Sequence, residues 1–312
     1  MNKRNIDFIG KRKIFFIISG LIILAGLIAY ILPPTGLNYD LDFQGGTALR
    51  INIGQDFSDE DIQAVVKPIV KEAIGKENVT VQKTGDNKTE VYIRTYEVDT
   101  ETRDKIFEAV RDKYSLEQEA LLESTNVSAT ASAKLITDAF KAIGLAVIFM
   151  LIYIVIRFNV RSGISAVLAL IHDILVMLSV YSIFRIPVNT SFVAAVLTIV
   201  GYSINDTIVI FDRIRENAKK ERRLGFSEVV NMSLNQTIAR TVNTSLTTLF
   251  TILTLYILGV ASIKEFALPI IIGIIVGTYS SMCIASPIWA LLREKTGKKN
   301  AKSKQLKTKK AY

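Results

Sequence analysis

Residues Ile14–Leu32, IFFIISGLIILAGLIAYIL, form an apolar run with no charge in it. A hydrocarbon core about 30 Å thick takes roughly 20 such residues in a helix, so the run reads as a membrane span. Lys3, Arg4, Lys11, Arg12 and Lys13 precede it and Pro33–Pro34 follow it. It is longer than the apolar region of a leader peptide and lacks a small-x-small cleavage site, so the expectation is an uncleaved signal anchor. Outward from there, charge returns between Asp40 and Glu123 and apolar character resumes near Ile136. Five more spans are expected, at 134–157, 163–184, 190–211, 241–260 and 266–292.

The composition agrees with this division. Half of the 312 residues are hydrophobic and 21% are charged, too oily for a soluble chain and too charged for one that is all membrane. One cysteine excludes a disulfide framework and a multi-Cys zinc site. One histidine argues against a His-rich metal centre or a Ser-His-Asp hydrolase. No metal or cofactor site is visible, and no enzyme activity is expected.

Basic residues set the orientation. The segments 1–13, 157–162, 212–241 and the tail from Arg293 hold 23 of the 38 Lys and Arg residues, whereas the two short opposite loops hold only Arg185 and Lys264. Both termini are therefore expected in the cytoplasm and 33–133 outside. That outer segment carries 11 basic and 19 acidic residues, so the rest of the chain nets +17. The basic balance is a by-product of topology. The Lys-rich tail 293–312 reads as a segment resting near anionic lipid rather than as a nucleic-acid binder.

Within the outer segment, Leu49–Ile53 alternates as a strand. Ser58 with Asp61 offers a cap for a helix to about Ile74, in which Pro68 should kink the helix or mark a boundary. Val79–Lys83 and Glu90–Thr95 alternate around a hairpin signal at 85–88. Asp99 or Thr100 caps a helix to Tyr114, and a weaker strand lies in Leu121–Val127. The order βαββαβ is that of the ferredoxin-like split motif, without a catalytic constellation, as in a scaffold or binding module. The fold class is thus a polytopic α-helical membrane protein, a six-helix transmembrane bundle plus one ferredoxin-like α+β extracytoplasmic domain. The cytoplasmic segment 212–240 should form a charged helix from Asp212 that Gly225 ends. A second stretch, capped by Ser227, carries Val229, Val230, Leu234 and Ile238 at helical spacing and should lie on the membrane face.

Ionisable groups inside spans are costly and mark cavities, partners or relays. His172, Asp173, Asp206 and Arg240 are the four candidates. Counting 1.5 Å per residue, Asp206 lies about 8 Å from its span's midpoint, toward the cytoplasm. Burial there favours the neutral acid and a neighbouring cation the carboxylate, the balance a proton relay needs; the alternative is a packing hydrogen bond. Arg240 opens the fifth span and could balance Asp206 or snorkel to headgroups. Thr244, one turn on, shares its face. His172 and Asp173 point about 100° apart and should not serve one site equally; His172 could shuttle protons or bond a neighbouring helix. Asp42-Phe43-Gln44-Gly45-Gly46-Thr47 reads by itself as a turn.

Three of these motifs together resemble the SecF branch of the SecD/SecF family, in the resistance-nodulation-division superfamily. They are Leu41–Thr47, Ala169–Asp173, and the long run Gly201–Asn217 that includes Asn205, Asp206, Asp212 and Arg213; Asn235-Gln236-Thr237 and Arg240-Thr241 follow. Ser179 stands where relatives often place glycine, which puts close helix contact there in question. The resemblance implies a subunit of the Sec protein translocase in the bacterial cytoplasmic membrane. It implies pairing with SecD in a twelve-helix unit and work with the SecYEG channel, the SecA motor and preproteins, driven by the proton motive force. It also implies a proton path through Asp206, Arg240 and Thr244. The rival readings are a proton-coupled exporter of a small molecule or lipid, and a structural stabiliser of a channel. An intramembrane protease is the weakest, since Asp173 and Asp206 lack a protease's motif context.

Overall fold

The computed structural model describes residues 5–33, 36–54, 57–75, 79–84 and 89–294. The hairpin signal at 85–88 and the Lys-rich tail after Glu294 lie outside them. The chain begins with α1 (Arg12–Ile31) and continues through α2 (Leu41–Gln44), β1 (Gly46–Asn52), α3 (Asp59–Asp61), α4 (Lys67–Ile74), β2 (Val79–Thr84) and β3 (Glu90–Thr95). Then come α5 (Thr100–Tyr114), β4 (Leu121–Val127), α6 (Ala129–Arg157), α7 (Val160–Ile183), α8 (Thr190–Lys220), α9 (Phe226–Leu258) and α10 (Ala261–Ser280). A π turn, Ser281–Ala285, carries α10 on to Glu294. Among the described residues, six helical paths are long and apolar enough to cross a membrane: α1 and α6 to α10. Apart from α6 up to Phe140 and Thr190 of α8, they belong to one compact helical unit; residues 39–140 and 187–190 form a second.

The second unit is an antiparallel sheet in the order β2-β3-β1-β4 with α4 and α5 on one face. β1 is central because alternate residues bury on one face: Leu49 lies opposite Ile93 and Ile51 opposite Val91, and Val81 meets Ile93 from the other side. Val66, Val70, Ile106 and Val110 close the core, each 0% exposed. Ser58 and Asp61 cap each other, Ser58 Oγ accepting from Asp61 N at 3.1 Å and Asp61 Oδ2 from Ser58 N at 2.8 Å. The helix then passes through a π turn, Ile62–Val66, before Pro68 in the first turn of α4. That wider turn lets the helix absorb a residue without an N–H instead of breaking.

The Gly-Gly of 41–47 serves this unit. Gly46 has φ +126, and a Cβ on it would lie 2.2 Å from the Thr95 carbonyl oxygen, so only glycine lets β1 start so close to β3. Asp42 Oδ2 accepts from the amide (2.9 Å) and hydroxyl (2.5 Å) of Thr190, and Thr47 Oγ1 accepts from Val98 N at 3.2 Å. Phe43 is buried beside Tyr39. Asp42, Phe43, Gly46 and Thr47 thus each have a structural task.

In the helical unit α7, α8 and the α10 path are the inner helices, with 56%, 50% and 67% of their spans buried, against 11%, 6% and 11% for α1, α6 and α9. The segment 212–240 differs from expectation. α9 is one helix from Phe226, because no Gly or Pro interrupts it before Gly259. The apolar stripe is therefore the start of the fifth span and not a separate surface helix. Val230 and Leu234 are fully buried in a cluster with Phe211, Ile214 and Trp289. Gly225 caps α9, its amide donating to Glu228 Oε2 at 2.9 Å, while the Ser227 hydroxyl goes to Glu294. A helix end that can draw on an acidic side chain three residues on does not need the serine.

Two outcomes follow. Gly46→Ala should lower the thermal midpoint of the purified protein by more than Gly54→Ala does, because Gly54 (φ +73) faces open space and its substitution meets only the backbone strain of a positive φ, whereas at Gly46 the Thr95 carbonyl is struck as well. Equal losses would remove the Thr95 contact from the explanation. The second concerns Asp99, which accepts from Thr102 N at 2.9 Å and whose bonds to Thr102 hold its carboxyl below the ordinary 3.8. The cap's contribution is present above 3.8 and fades as pH falls through the lowered native value. Acidification across that window should speed amide exchange in the first turn of α5 in the wild type, and should add nothing in Asp99→Ala.

Candidate functional site

Close approach of the helices creates the site. A Cβ on Gly273 would come 2.4 Å from Ile199, and one on Gly277 3.0 Å from Ser203 Cβ, so α10 and α8 touch backbone to side chain. On the other side, a Cβ on Gly26 of α1 would meet Ser179 Cβ of α7 at 2.2 Å. The close contact questioned at Ser179 is made after all, with the glycine supplied by α1. Small residues permit such approaches where lipid offers helices no hydrophobic gain from association.

Short polar side chains then reach across. Asp173, 1% exposed, accepts from Ser203 Oγ (2.7 Å) and Ser280 Oγ (2.9 Å) on Oδ2, and its Oδ1 lies 3.1 Å from His172 Nδ1. His172 Nε2 is 2.9 Å from Ser19 Oγ, which is 3.1 Å from the Tyr279 hydroxyl, and Tyr279 donates to the Phe15 carbonyl at 2.8 Å. α1, α7, α8 and α10 all contribute. His172 and Asp173, expected not to serve one site equally, stand in one network, because the imidazole folds back onto its neighbour's carboxylate. Beside them the π turn sets Ser281 Oγ 2.8 Å from Thr207 Oγ1, and Ser286 Oγ donates to the Ser281 carbonyl at 3.0 Å. A π turn leaves a carbonyl without its usual partner; here a serine takes it.

Asp206 is separate from this network. It is 3% exposed and takes one hydroxyl contact, from Ser245 Oγ at 3.4 Å; Ser245 Oγ also lies 2.6 Å from Thr278 Oγ1. Thr241 Oγ1, one turn before Ser245, is buried with no hydrogen-bond partner. The expected pairing of Asp206 with Arg240 is not made: no ion pair joins them among the described residues, and Arg240 is exposed. The reason is helical phase. Thr241 and Ser245 turn one face of α9 inward, while Arg240 and Thr244 lie on another, Thr244 Oγ1 donating to the Arg240 carbonyl at 2.8 Å. Asn205, Asn243, Thr247 and Thr251 are exposed as well.

The remaining motif residues hold together the end of the bundle where α8 leads into α9. Asp212 pairs with Arg157 at 3.2 Å, and Arg213 reaches Gln236 and Glu216, each at 2.7 Å. Asn217 donates to Ser233 (2.8 Å) and Gln236 (2.7 Å), and Asn235 exchanges bonds with the backbone of Ile6. Gly201 is half-buried, with open space where a Cβ would stand. Ser19, Ser203, Tyr279 and Ser280 were not singled out from the sequence. The polar run 277–281, Gly-Thr-Tyr-Ser-Ser, inside an apolar span was the available signal. No group of three His, Cys, Asp or Glu among the described residues could hold a metal ion.

Comparison with known proteins agrees with this architecture. Residues 106–295 match the family described as protein export membrane protein SecD/SecF, C-terminal. The chain is 39% identical over 298 residues to the protein translocase subunit SecF of Calditerrivibrio nitroreducens, covering 94% of this chain and 95% of that one. It is 36% identical to the protein translocase subunit SecDF of Bacillus subtilis, covering 95% of this chain but 39% of the relative. The crystal structure of SecDF, a translocon-associated membrane protein from Thermus thermophilus, aligns with a TM-score of 0.79 at 31% identity, over 94% of this chain and 40% of that one. With six apolar helices, one antiparallel four-stranded sheet and these matches over nearly its whole length, the chain belongs to the SecD/SecF family of protein export membrane proteins.

Proposed function

We propose that the chain is an auxiliary subunit of the bacterial Sec protein translocase in which Asp206 binds and releases protons drawn through the membrane by the proton motive force. The observation that carries this reading is a carboxylate buried in a span with one long hydroxyl contact and, among the described residues, no cation paired with it. Such a group gains or loses a proton without dismantling a bonded network, unlike Asp173 with its three donors.

The outward face of α9 gives the second support. Arg240, Asn243, Thr244, Thr247 and Thr251 are exposed on a helix apolar enough to span. A guanidinium and a row of hydroxyls are costly against lipid, which favours a second six-helix body there. SecDF relatives are long enough to hold one, this chain spanning 39–40% of them. In this reading SecD is that partner, and its own carboxylate answers Arg240. The twelve-helix unit works beside SecYEG and SecA on preproteins, with both termini cytoplasmic and residues 33–133 outside. Protonation of Asp206 favours one arrangement of the two halves and release the other; the coupling is the difference in proton affinity between them. A potential of 100 mV supplies about 2.3 kcal/mol per charge. That biases a domain movement but falls short of the about 5–15 kcal/mol that unfolds a typical domain.

The test is pulse-chase processing of a secreted precursor in cells with matched membrane levels of the chain. Asp206→Asn should slow maturation as much as deletion does, and to the same extent with and without an uncoupler. Wild-type export in Asp206→Asn beside failure on deletion would make the chain a scaffold. Arg240→Ala should match Asp206→Asn, and an Arg240→Ala strain that exports normally would remove that residue from the path.

A further inference from the structure

The bonds around His172 fix how many protons it shares with Asp173. Tyr279 has one hydroxyl hydrogen, and its 2.8 Å bond to the Phe15 carbonyl uses it, since a carbonyl oxygen only accepts. The 3.1 Å bond between Tyr279 and Ser19 therefore takes its hydrogen from Ser19. Serine also has one, so the 2.9 Å contact between Ser19 Oγ and His172 Nε2 takes its hydrogen from Nε2. The 3.1 Å link from Nδ1 to Asp173 Oδ1 needs one more, carried by the nitrogen or by the oxygen. Either way the pair holds two protons and no net charge, as imidazolium with carboxylate or as Nε2–H imidazole with carboxylic acid.

Electrostatics leads independently to the same count. His172 is the one ion-pair partner of Asp173 among the described residues, and the other donors to it are neutral serines. Within one turn of the bonded residues, the α10 path carries Tyr279 and Cys283, and α8 carries Tyr202, whose hydroxyl goes to Thr248, and Asp206; Tyr30, Arg161, Tyr181, Lys264 and Glu265 of the packed helices lie two turns or more along the chain from the bonded residues. Arg12 and Lys13 of α1 lie six residues or more before Ser19, about 9 Å along the helix. A pair with one proton would be a lone negative charge among apolar helices.

We infer that His172 and Asp173 form a proton-binding latch on α1, occupied by two protons when the chain Asp173–His172–Ser19–Tyr279–Phe15 is closed. Loss of one proton to bulk solvent leaves Nδ1–H bonded to the carboxylate and Nε2 bare. Ser19 must then turn its hydrogen to Nε2 and surrender Tyr279, so one bond between α1 and α10 is lost for each proton released. Return of the proton restores it. Among the described residues no side-chain hydrogen bond connects this network to Asp206, and the latch does not depend on the role proposed for that residue.

His172 is the only histidine in the chain, so nitrogen-15 histidine labelling of the full-length protein in lipid bilayers gives one pair of ring resonances. At neutral pH the wild type should show a protonated Nε2. In Tyr279→Phe the hydrogen of Ser19 is freed for Nε2, and a bare Nε2 accepting from Ser19 should appear in the spectrum at neutral pH. A bare Nε2 in the wild type at neutral pH overturns the inference without any variant. So does a Tyr279→Phe spectrum at neutral pH that coincides with that of the wild type, which is what a packing role alone would give.

Discussion

A carboxylate that is 1% exposed among apolar helices has to be answered by its neighbours, and Asp173 draws its donors from three helices. Leaving one of its bonds unmade would cost about 1–3 kcal/mol, more for a charged group. Much of the bundle's sequence serves that requirement. Serines at 203 and 280 are short enough to reach the carboxylate only where the helices nearly touch, and the glycines at 273 and 277 let them touch. The π turn after Ser280 shifts the following residues, bringing Ser281 within 2.8 Å of Thr207. α1 has little of its surface buried, but Gly26 against Ser179 and Ser19 beside His172 seat it on α7.

The two faces of α9 divide its work. The inward face carries Thr241 and Ser245, the latter bonded to Asp206, and nearer the start of the helix Val230 and Leu234, which share a core with Phe211 and Trp289. The outward face carries Arg240 and Thr244. Since 240 and 245 lie about 140° apart around the helix, one straight helix cannot aim both at Asp206. The cation and the carboxylate are therefore kept apart within this chain, and a pair between them needs either a turn of α9 or a group from another body. A buried ion pair already formed would be costly to open; separated partners are not held by that cost.

What could be read from the residues follows from the period of each element. Alternation over 49–53, 79–83 and 90–95 and the caps at Ser58 and Asp99 gave the split βαββαβ unit, because a half-buried sheet writes its pattern at period two. The six apolar runs gave the spans, because the bilayer fixes their length. The site was legible only in its charged members. Asp173, His172 and Asp206 stand out in apolar runs, but Ser19, Ser203 and Ser280 look like the small residues that any packed span carries. Nor could the sequence show that α9 runs unbroken from Phe226. A loop of charges and an apolar stripe resemble a surface helix until Trp289 and Phe211, far away in the chain, are seen to cover the stripe. The Asp206–Arg240 pairing erred for a related reason: charge sign was read correctly and helical phase was not.

The two buried aspartates share one bundle and differ in how well they are answered. Asp173 has three donors within 3.1 Å; Asp206 has one at 3.4 Å, from a hydroxyl that also faces Thr278 and the Thr241 carbonyl. Ser245 has a single hydrogen, so it answers Asp206 only when it leaves its other acceptors unserved. A group held so loosely changes its proton with little disturbance around it. The Asp173 pair cannot: its proton count is tied to the direction of each hydroxyl from Ser19 to Tyr279, and a change there must move a bond between α1 and α10. In the proposed reading, one carboxylate is the group that exchanges a proton and the other registers an exchange as a change in helix attachment.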